Sequence, residues 1–475
     1  MSDLVPDQLE VTPTELRRNT LDLRHAIVIS VAVMSPAASI FFNTIPQAGF
    51  VGAAIPLCYV IGFILALLVA NQYSEFAREL PSSGSAYTFV TEGLGVRMGF
   101  LAGWIGLLAI ALGVPYSFIL LAANLQTLMM RWFGFNMHWS FWFVLMLGIA
   151  FALCYLGIRQ SMNVDLVFLA VEIGICLVLA AIVLFRVGQQ DGLSSVPFTF
   201  AAIPANGNLV VGVILSVLSF IGFETAVALG EETRNPHKSI PRAVFGSMIV
   251  VGIFYVLMAY VGTLGYGTQH MLTGYANDSA PFDTITRQYG GPLLVVLIDL
   301  VGIFSFFSAA LAIINGGARI IYTVGRDGML PAWTAQLHGR RHTPIGSITV
   351  LCIFGLIVGL LLGFTMTPIG AFGFLGTLDA LFIMVIYALV CVASIVFFWR
   401  KRRTHFHLLR HGIIPALGTL FILTIILLLV VSSTTPPLSF VPAILLIWLL
   451  LGGALLFMLR KKLVQGAVMS ESTPL

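Results

Sequence analysis

The sequence predicts an all-α integral membrane protein with twelve spanning helices, and three observations carry that reading. Of 475 residues, 59% are hydrophobic and 9% charged, against about 25% charged in ordinary soluble domains. Apolar stretches near the length of about 20 residues that crosses a bilayer recur at 24–47, 51–76, 99–127, 141–157, 164–187, 208–230, 242–264, 292–323, 346–364, 370–399, 412–432 and 438–459. The basic residues alternate with them. With both termini inside, every one of the 24 Lys and Arg residues lies in an inner segment except Arg131, Arg186 and Arg287, the asymmetry that sets topology in a cytoplasmic (inner) membrane.

The same observations exclude other classes. A formal charge of +4 reports topology, so no nucleic-acid partner is expected; the lipid bilayer is. Cys58, Cys154, Cys176, Cys352 and Cys391 lie in or at the ends of spans without paired spacing, which reads as small core residues. The nine histidines fall mostly in loops, none at zinc spacing with Cys or Glu, and no phosphate-cradling GxxxxGK[ST] occurs. No enzyme constellation, metal or cofactor is therefore expected. Met1–Thr20 lacks an apolar signal core. The expected organisation is a cytosolic tail at 1–23, one transmembrane domain at 24–460, and a cytosolic tail at 461–475.

Taken in order, the first span meets Ser35–Ser39 (SPAAS), where Pro36 removes a helical donor and the small residues let a neighbour approach the backbone. A Pro/Gly/Ser-rich turn, Phe76–Phe89, leads to the third span, whose Ala109, Ile110 and Gly113 suit close packing or a cavity wall. The fifth span carries Asp165 and, further in, Glu172 between apolar neighbours. The sixth repeats the theme of the first. Gly222 and Glu224 interrupt an apolar run, although a charge inside the bilayer costs about 2.5–3.5 kcal/mol on insertion scales. Interrupted spans at corresponding positions of two halves are the sequence mark of a transporter site. Spans one and six stand five apart, which predicts two inverted five-helix repeats, 24–190 and 205–400, with 411–460 appended. The loop 265–291 is expected to be partly helical; the eighth span carries Asp299, Ser305, Ser308 and Asn315, and the tenth Asp379.

Four motifs in this order, ELPSSGSAY at 79–87, FIGFE at 220–224, EETRNPHKSIPRA at 231–243 and ARIIYTVGRDGMLP at 318–331, resemble the amino acid-polyamine-organocation transporters, in their bacterial amino acid permease branch. The resemblance implies the leucine-transporter fold and a secondary active transporter that moves amino acids by alternating access, with a proton as the expected coupling ion. An exchanger, a polyamine or amine importer, and a transport-inactive amino acid sensor are the alternatives. Half-helix N-termini offer N–H groups and unwound segments offer carbonyls. The family's arrangement thus places the substrate carboxylate at Ser35, Pro36, Ala37, Ala38 and Ser39, on the amides of Ala37 to Ser39. It places the amine at Leu218, Ser219, Phe220, Ile221, Gly222 and Phe223, on the carbonyls of Leu218, Ser219 and Ile221. Relatives often gate the substrate with a bulky aromatic where this chain has Leu218, so Phe220 or Phe223 is expected to take over. Glu224 matches the acid of the family's FxGxE pattern. Glu172 lies near where some proton-coupled relatives carry a lysine in the space of a sodium ion. Glu172, Glu224, Asp299 and Asp379 are the coupling candidates. If Asp299 or Asp379 faces the central cavity, it favours a cationic side chain or a diamine.

Overall fold

The computed structural model describes residue 16 and residues 18–190, 192–339, 341–432 and 436–471, with side chains to residue 458 except that of Ser432. Most of the expected terminal tails, with Arg17, Arg340 and the side chains of Arg460, Lys461 and Lys462, lies outside the described residues. In chain order the helices are α1 (Leu23–Met34), α2 (Pro36–Val51), α3 (Ile55–Glu79), α4 (Ala86–Leu94), α5 (Val96–Phe133), α6 (Trp139–Leu156), α7 (Ile158–Gln190), α8 (Leu209–Leu218), α9 (Pro236–Tyr266), α10 (Pro281–Tyr289), α11 (Pro292–Arg326), α12 (Ile345–Thr365), α13 (Pro368–Lys401), α14 (Ile414–Ser432) and α15 (Val441–Glu471). Among the described residues no strand forms; Leu21 and Thr233 make one isolated bridge.

Eleven helical stretches are long and apolar enough to span a membrane, and the first, Leu23–Glu79, is 57 residues long. Straight, it would measure about 85 Å at 1.5 Å per residue, far beyond the ~30 Å hydrocarbon core. It instead reverses at Gly52–Ala54. Gly52 has φ 56°, and a Cβ there would lie 3.0 Å from Pro204. Both ends then meet one segment: Leu21 bridges Thr233, and the Arg78 carbonyl stands 2.7 Å from His237 Nδ1. The chain therefore makes the twelve crossings expected of it. Beyond expectation, the turn after α3 includes the short α4; the helix expected within 265–291 proves to be α10.

Close helix approach depends on small residues, the usual means of packing where lipid is as apolar as leucine. A Cβ on Gly62 would lie 2.8 Å from the Ser216 side chain, and one on Gly359 would fall 2.3 Å from the ring of Phe143. The appended α15 is pinned to α5 by Trp104 and Trp448, which stack at 4.3 Å while each indole N–H donates to the other's backbone carbonyl.

At the end where α1 begins, two of the motifs meet. Arg326 grips Glu231 with both terminal nitrogens at 3.0 and 3.1 Å, and Arg319 pairs with Glu232, the two side chains 2% and 3% exposed. Seven residues separate the arginines, which puts them on one face of α11. This end is called the basic end below.

Candidate functional site

The site is built on two broken helices lying side by side. Between α1 and α2, Ser35 takes a left-handed conformation (φ 47°, ψ 69°) directly before the amide-less Pro36. A non-glycine residue there costs about 1–3 kcal/mol unless its surroundings over-determine it, and here they do. The Ser35 amide donates to the Ala32 carbonyl at 3.0 Å, and its hydroxyl donates to the Val33 carbonyl at 3.3 Å. In the second broken helix α8 stops at Leu218, the chain turns through Ser219–Gly222, and a short helical segment runs over Phe223–Leu229. Gly222 has φ 117°, and a Cβ on it would lie 2.5 Å from the Val33 side chain. The second break thus needs glycine for its turn and for the approach of α1.

Side chains tie the breaks together half by half. Towards the far end, the Gln47 amide donates to the Gly212 carbonyl and the Ser216 hydroxyl, and Asn43 donates to the Ser219 hydroxyl. Towards the basic end, Ser30 donates to the Phe223 carbonyl at 2.7 Å and accepts from the Ala226 amide at 3.0 Å. Between them the Tyr255 hydroxyl stands 2.6 Å from the Met34 carbonyl and 2.8 Å from that of Ser219. One hydroxyl is shared by both breaks.

A cavity of about 440 Å³ opens beside them. From the first break, Ser35, Ala38 and Ser39 line it; from the second, Leu218, Ser219, Ile221, Gly222 and Glu224. Ala109, Ile110 and Gly113 form part of the α5 wall, and Asp379 part of the α13 wall. The lining reaches Gly84–Tyr87 at the basic end. On the other side of the breaks stand Phe42, Tyr116, Phe306 and Phe372, whose rings meet at 5.5 to 6.1 Å.

Several expected residues are placed otherwise. Pro36 and Ala37 are buried away from the cavity. The three amides expected to serve a carboxylate are engaged: that of Ala37 by Glu172 Oε1 at 2.9 Å, that of Ala38 by the Ser305 hydroxyl at 3.1 Å, and that of Ser39 by the Ser35 carbonyl at 2.9 Å. Phe220 and Phe223 do not line the cavity. Phe220 packs against Phe63 and Tyr255, and Phe223 against Tyr73 and Tyr387. In a tightly turned break these side chains face helices α3, α9 and α13, and the rings that line the far side of the cavity are the four named above. Those rings come from four distant segments, and no local pattern marks them.

The four acids part company as well. Asp299 stands at the far rim, where its Oδ2 accepts from Arg131 at 3.3 Å and from the Trp132 indole at 3.1 Å; it is not part of the cavity. Glu172 lies behind the first break. Its Oε1 accepts from the Ala37 amide and from the Ser305 hydroxyl, and its Oε2 is buried without a hydrogen-bond partner among the described residues. Below it the series continues between α7 and α11, with Ser308 donating to Asp165 at 2.8 Å and Asn315 to Ser161 at 2.6 Å. Arg319 then donates to the Asn315 carbonyl at 2.7 Å and joins this ladder to the basic end. Glu224 Oε2 accepts from the Gly222 amide at 3.0 Å and the Tyr387 hydroxyl at 2.5 Å. Asp379 is 6% exposed, and its Oδ1 has no hydrogen-bond partner among the described residues.

A helical membrane bundle whose two broken helices back one central cavity defines a membrane transporter. The chain belongs to the amino acid permease family, whose model matches residues 21–455. Among its relatives, the branched-chain amino acid permease BcaP of Bacillus subtilis (strain 168) is 25% identical over 409 residues, covering 81% of this chain and 82% of that protein. The low-affinity putrescine importer PlaP of Escherichia coli (strain K12) is 24% identical over 363 residues, covering 73% and 78%. The solved structure of Mhp1, a nucleobase-cation-symport-1 family transporter, in a closed conformation with bromovinylhydantoin bound, matches with a TM-score of 0.58. It covers 90% of this chain and 94% of that one at 14% identity, a likeness of fold. The fold is the leucine-transporter type that the motifs imply, and the chain is a multi-pass transporter, not an enzyme.

Proposed function

We propose that this protein is a secondary active transporter that moves an amino acid or amine across the cytoplasmic membrane by alternating access, with its basic end and both termini in the cytosol and a proton as the coupling ion. Residues 24–190 and 205–400 are then the two repeats, with 411–460 appended. One observation carries the coupling: Glu172 grips the N-terminal end of α2 while leaving Oε2 unbonded. A proton on Oε2 neutralises the carboxylate without displacing either donor to Oε1. It also weakens the attraction between a negative group and the positive end of α2, worth about 0.3–1 kcal/mol at exposed helix ends and up to ~2 kcal/mol in partly buried geometries. Protonation thus loosens the hinge that alternating access must bend. Each charge moved through 100 mV supplies about 2.3 kcal/mol, so the membrane potential can drive accumulation.

Glu172→Gln tests the coupling directly. A glutamine carbonyl still accepts from Ala37 and Ser305, so the break keeps its shape while the titration disappears. In proteoliposomes, uptake by the variant is expected to lose its pH dependence while counterflow of labelled substrate persists. Unchanged pH dependence removes Glu172 from the mechanism, uptake that requires Na⁺ and ignores a pH gradient replaces the coupling ion, and binding without counterflow points to a sensor. The solute is found by a thermal-shift screen of the purified protein against amino acids and amines, followed by gradient-driven uptake of whatever stabilises it.

A further inference from the structure

The acids facing the cavity assign its solute a second positive charge. We propose that Asp379 is a subsite for a cationic group, so that the transported solute carries two ammonium groups joined by an aliphatic chain; this rests on the transporter reading above.

Three features converge. Asp379 is 6% exposed, lines the cavity and holds a buried Oδ1 without a hydrogen-bond partner among the described residues. A buried carboxylate without a counter-charge is strongly disfavoured, so such a group in a binding cavity calls for a cation from the solute. The protein supplies none there: no Lys, Arg or His is among the described lining residues, whose only other ionisable carboxyl is Glu224. Glu224 is braced through Oε2 by Tyr387 and Gly222, which fixes it beside the Tyr387 end of the wall, whereas Asp379 accepts no hydrogen bond among the described residues.

The rest of the cavity agrees. The amides of the first break, which would serve an anionic end, are engaged by Glu172, Ser305 and Ser35. Asp379 and Tyr387 stand eight residues apart on α13, about 12 Å along a helix, and Ala380 and Ile383 line the wall between them. An apolar wall with an acid near each end fits a methylene chain with an ammonium at each end.

The matched pair for the test is lysine and norleucine, which differ only in the terminal ammonium, with 1,5-diaminopentane as a third probe. Competition for uptake and thermal shift are measured on purified wild type and Asp379→Asn in proteoliposomes and detergent. In wild type, lysine or the diamine is expected to outcompete norleucine by about tenfold or more, because a site built around a polar partner rejects the analogue that lacks it. Asp379→Asn is expected to bring the ratio close to one. The stronger of lysine and the diamine tells whether a carboxylate belongs to the solute. A wild type that prefers norleucine, or a variant with an unchanged ratio, overturns the proposal; the wild-type ratio alone decides should the variant fail to fold. Flux of other amino acids with none of these probes overturns the subsite but leaves the transporter reading, whereas no flux across a full panel of amino acids and amines removes both.

Discussion

Two pairs of acids flank the broken α1–α2 helix, and they differ in what answers them. Behind the break, Glu172 and Asp165 each accept a serine hydroxyl from α11, and Glu172 also accepts the Ala37 amide. In front, Glu224 is held by its own helix break and Tyr387, while Asp379, unlike the acids behind with one oxygen bonded and one free, accepts no hydrogen bond among the described residues. Behind, Glu172 holds the backbone of the first break, and Asp165 ties α7 to α11. Of those in front, Glu224 shapes the second break, and Asp379 is left to the cavity. Intramembrane position alone does not separate these roles; the direction in which each carboxyl finds its donors does.

Removing the acid behind the break has the largest expected effect. Glu172→Leu leaves the Ala37 amide and the Ser305 hydroxyl without their acceptor, at about 1–3 kcal/mol for each buried group left unsatisfied. A lowered melting temperature together with lost uptake is expected; a variant as stable as wild type would show that Glu172 does not hold the hinge. Tyr255→Phe comes next. It deletes the one hydroxyl shared by the Met34 and Ser219 carbonyls, with an expected loss of about 1–3 kcal/mol in chemical denaturation and slower uptake. Asp379→Asn should differ in sign. A carboxylate with no partner contributes no bond to lose, so the variant is expected to melt no lower than wild type in the absence of solute. A melting temperature as depressed as that of Glu172→Leu would erase the distinction between the two sides.

Much of this frame is legible in the sequence. Pro36 and the Gly222/Glu224 pair mark both breaks because each violates helix chemistry at a fixed position, the lengths of the spans follow from bilayer thickness, and the Lys/Arg asymmetry reflects the preference of basic loops for the inner side. The pairing of Glu231 and Glu232 with Arg326 and Arg319 is carried by motifs already visible as charged runs. The engaged amides are not legible, because they depend on α7 and α11 standing behind α2, across contacts of 135 and 267 residues in sequence. Nor is the facing of Phe220 and Phe223. Within a break the helical period no longer relates position to face, and the four rings across the far side of the cavity come from α2, α5, α11 and α13 through packing alone.

Asp299 supplies the control with the smallest expected effect. In sequence it stands beside Asp379 as an acid in an apolar span; in space it pairs with Arg131 at the far rim, the side chains 20% and 32% exposed. Exposed ion pairs contribute about 0–1 kcal/mol, and Asp283 also lies within 3.4 Å of Arg131. Asp299→Asn is therefore expected to shift stability by less than about 1 kcal/mol and to leave the lysine-to-norleucine ratio unchanged. A changed ratio in this variant would mean that the cavity senses negative charge at a distance, and the role given to Asp379 would then belong to the field of the whole bundle instead of to one carboxyl.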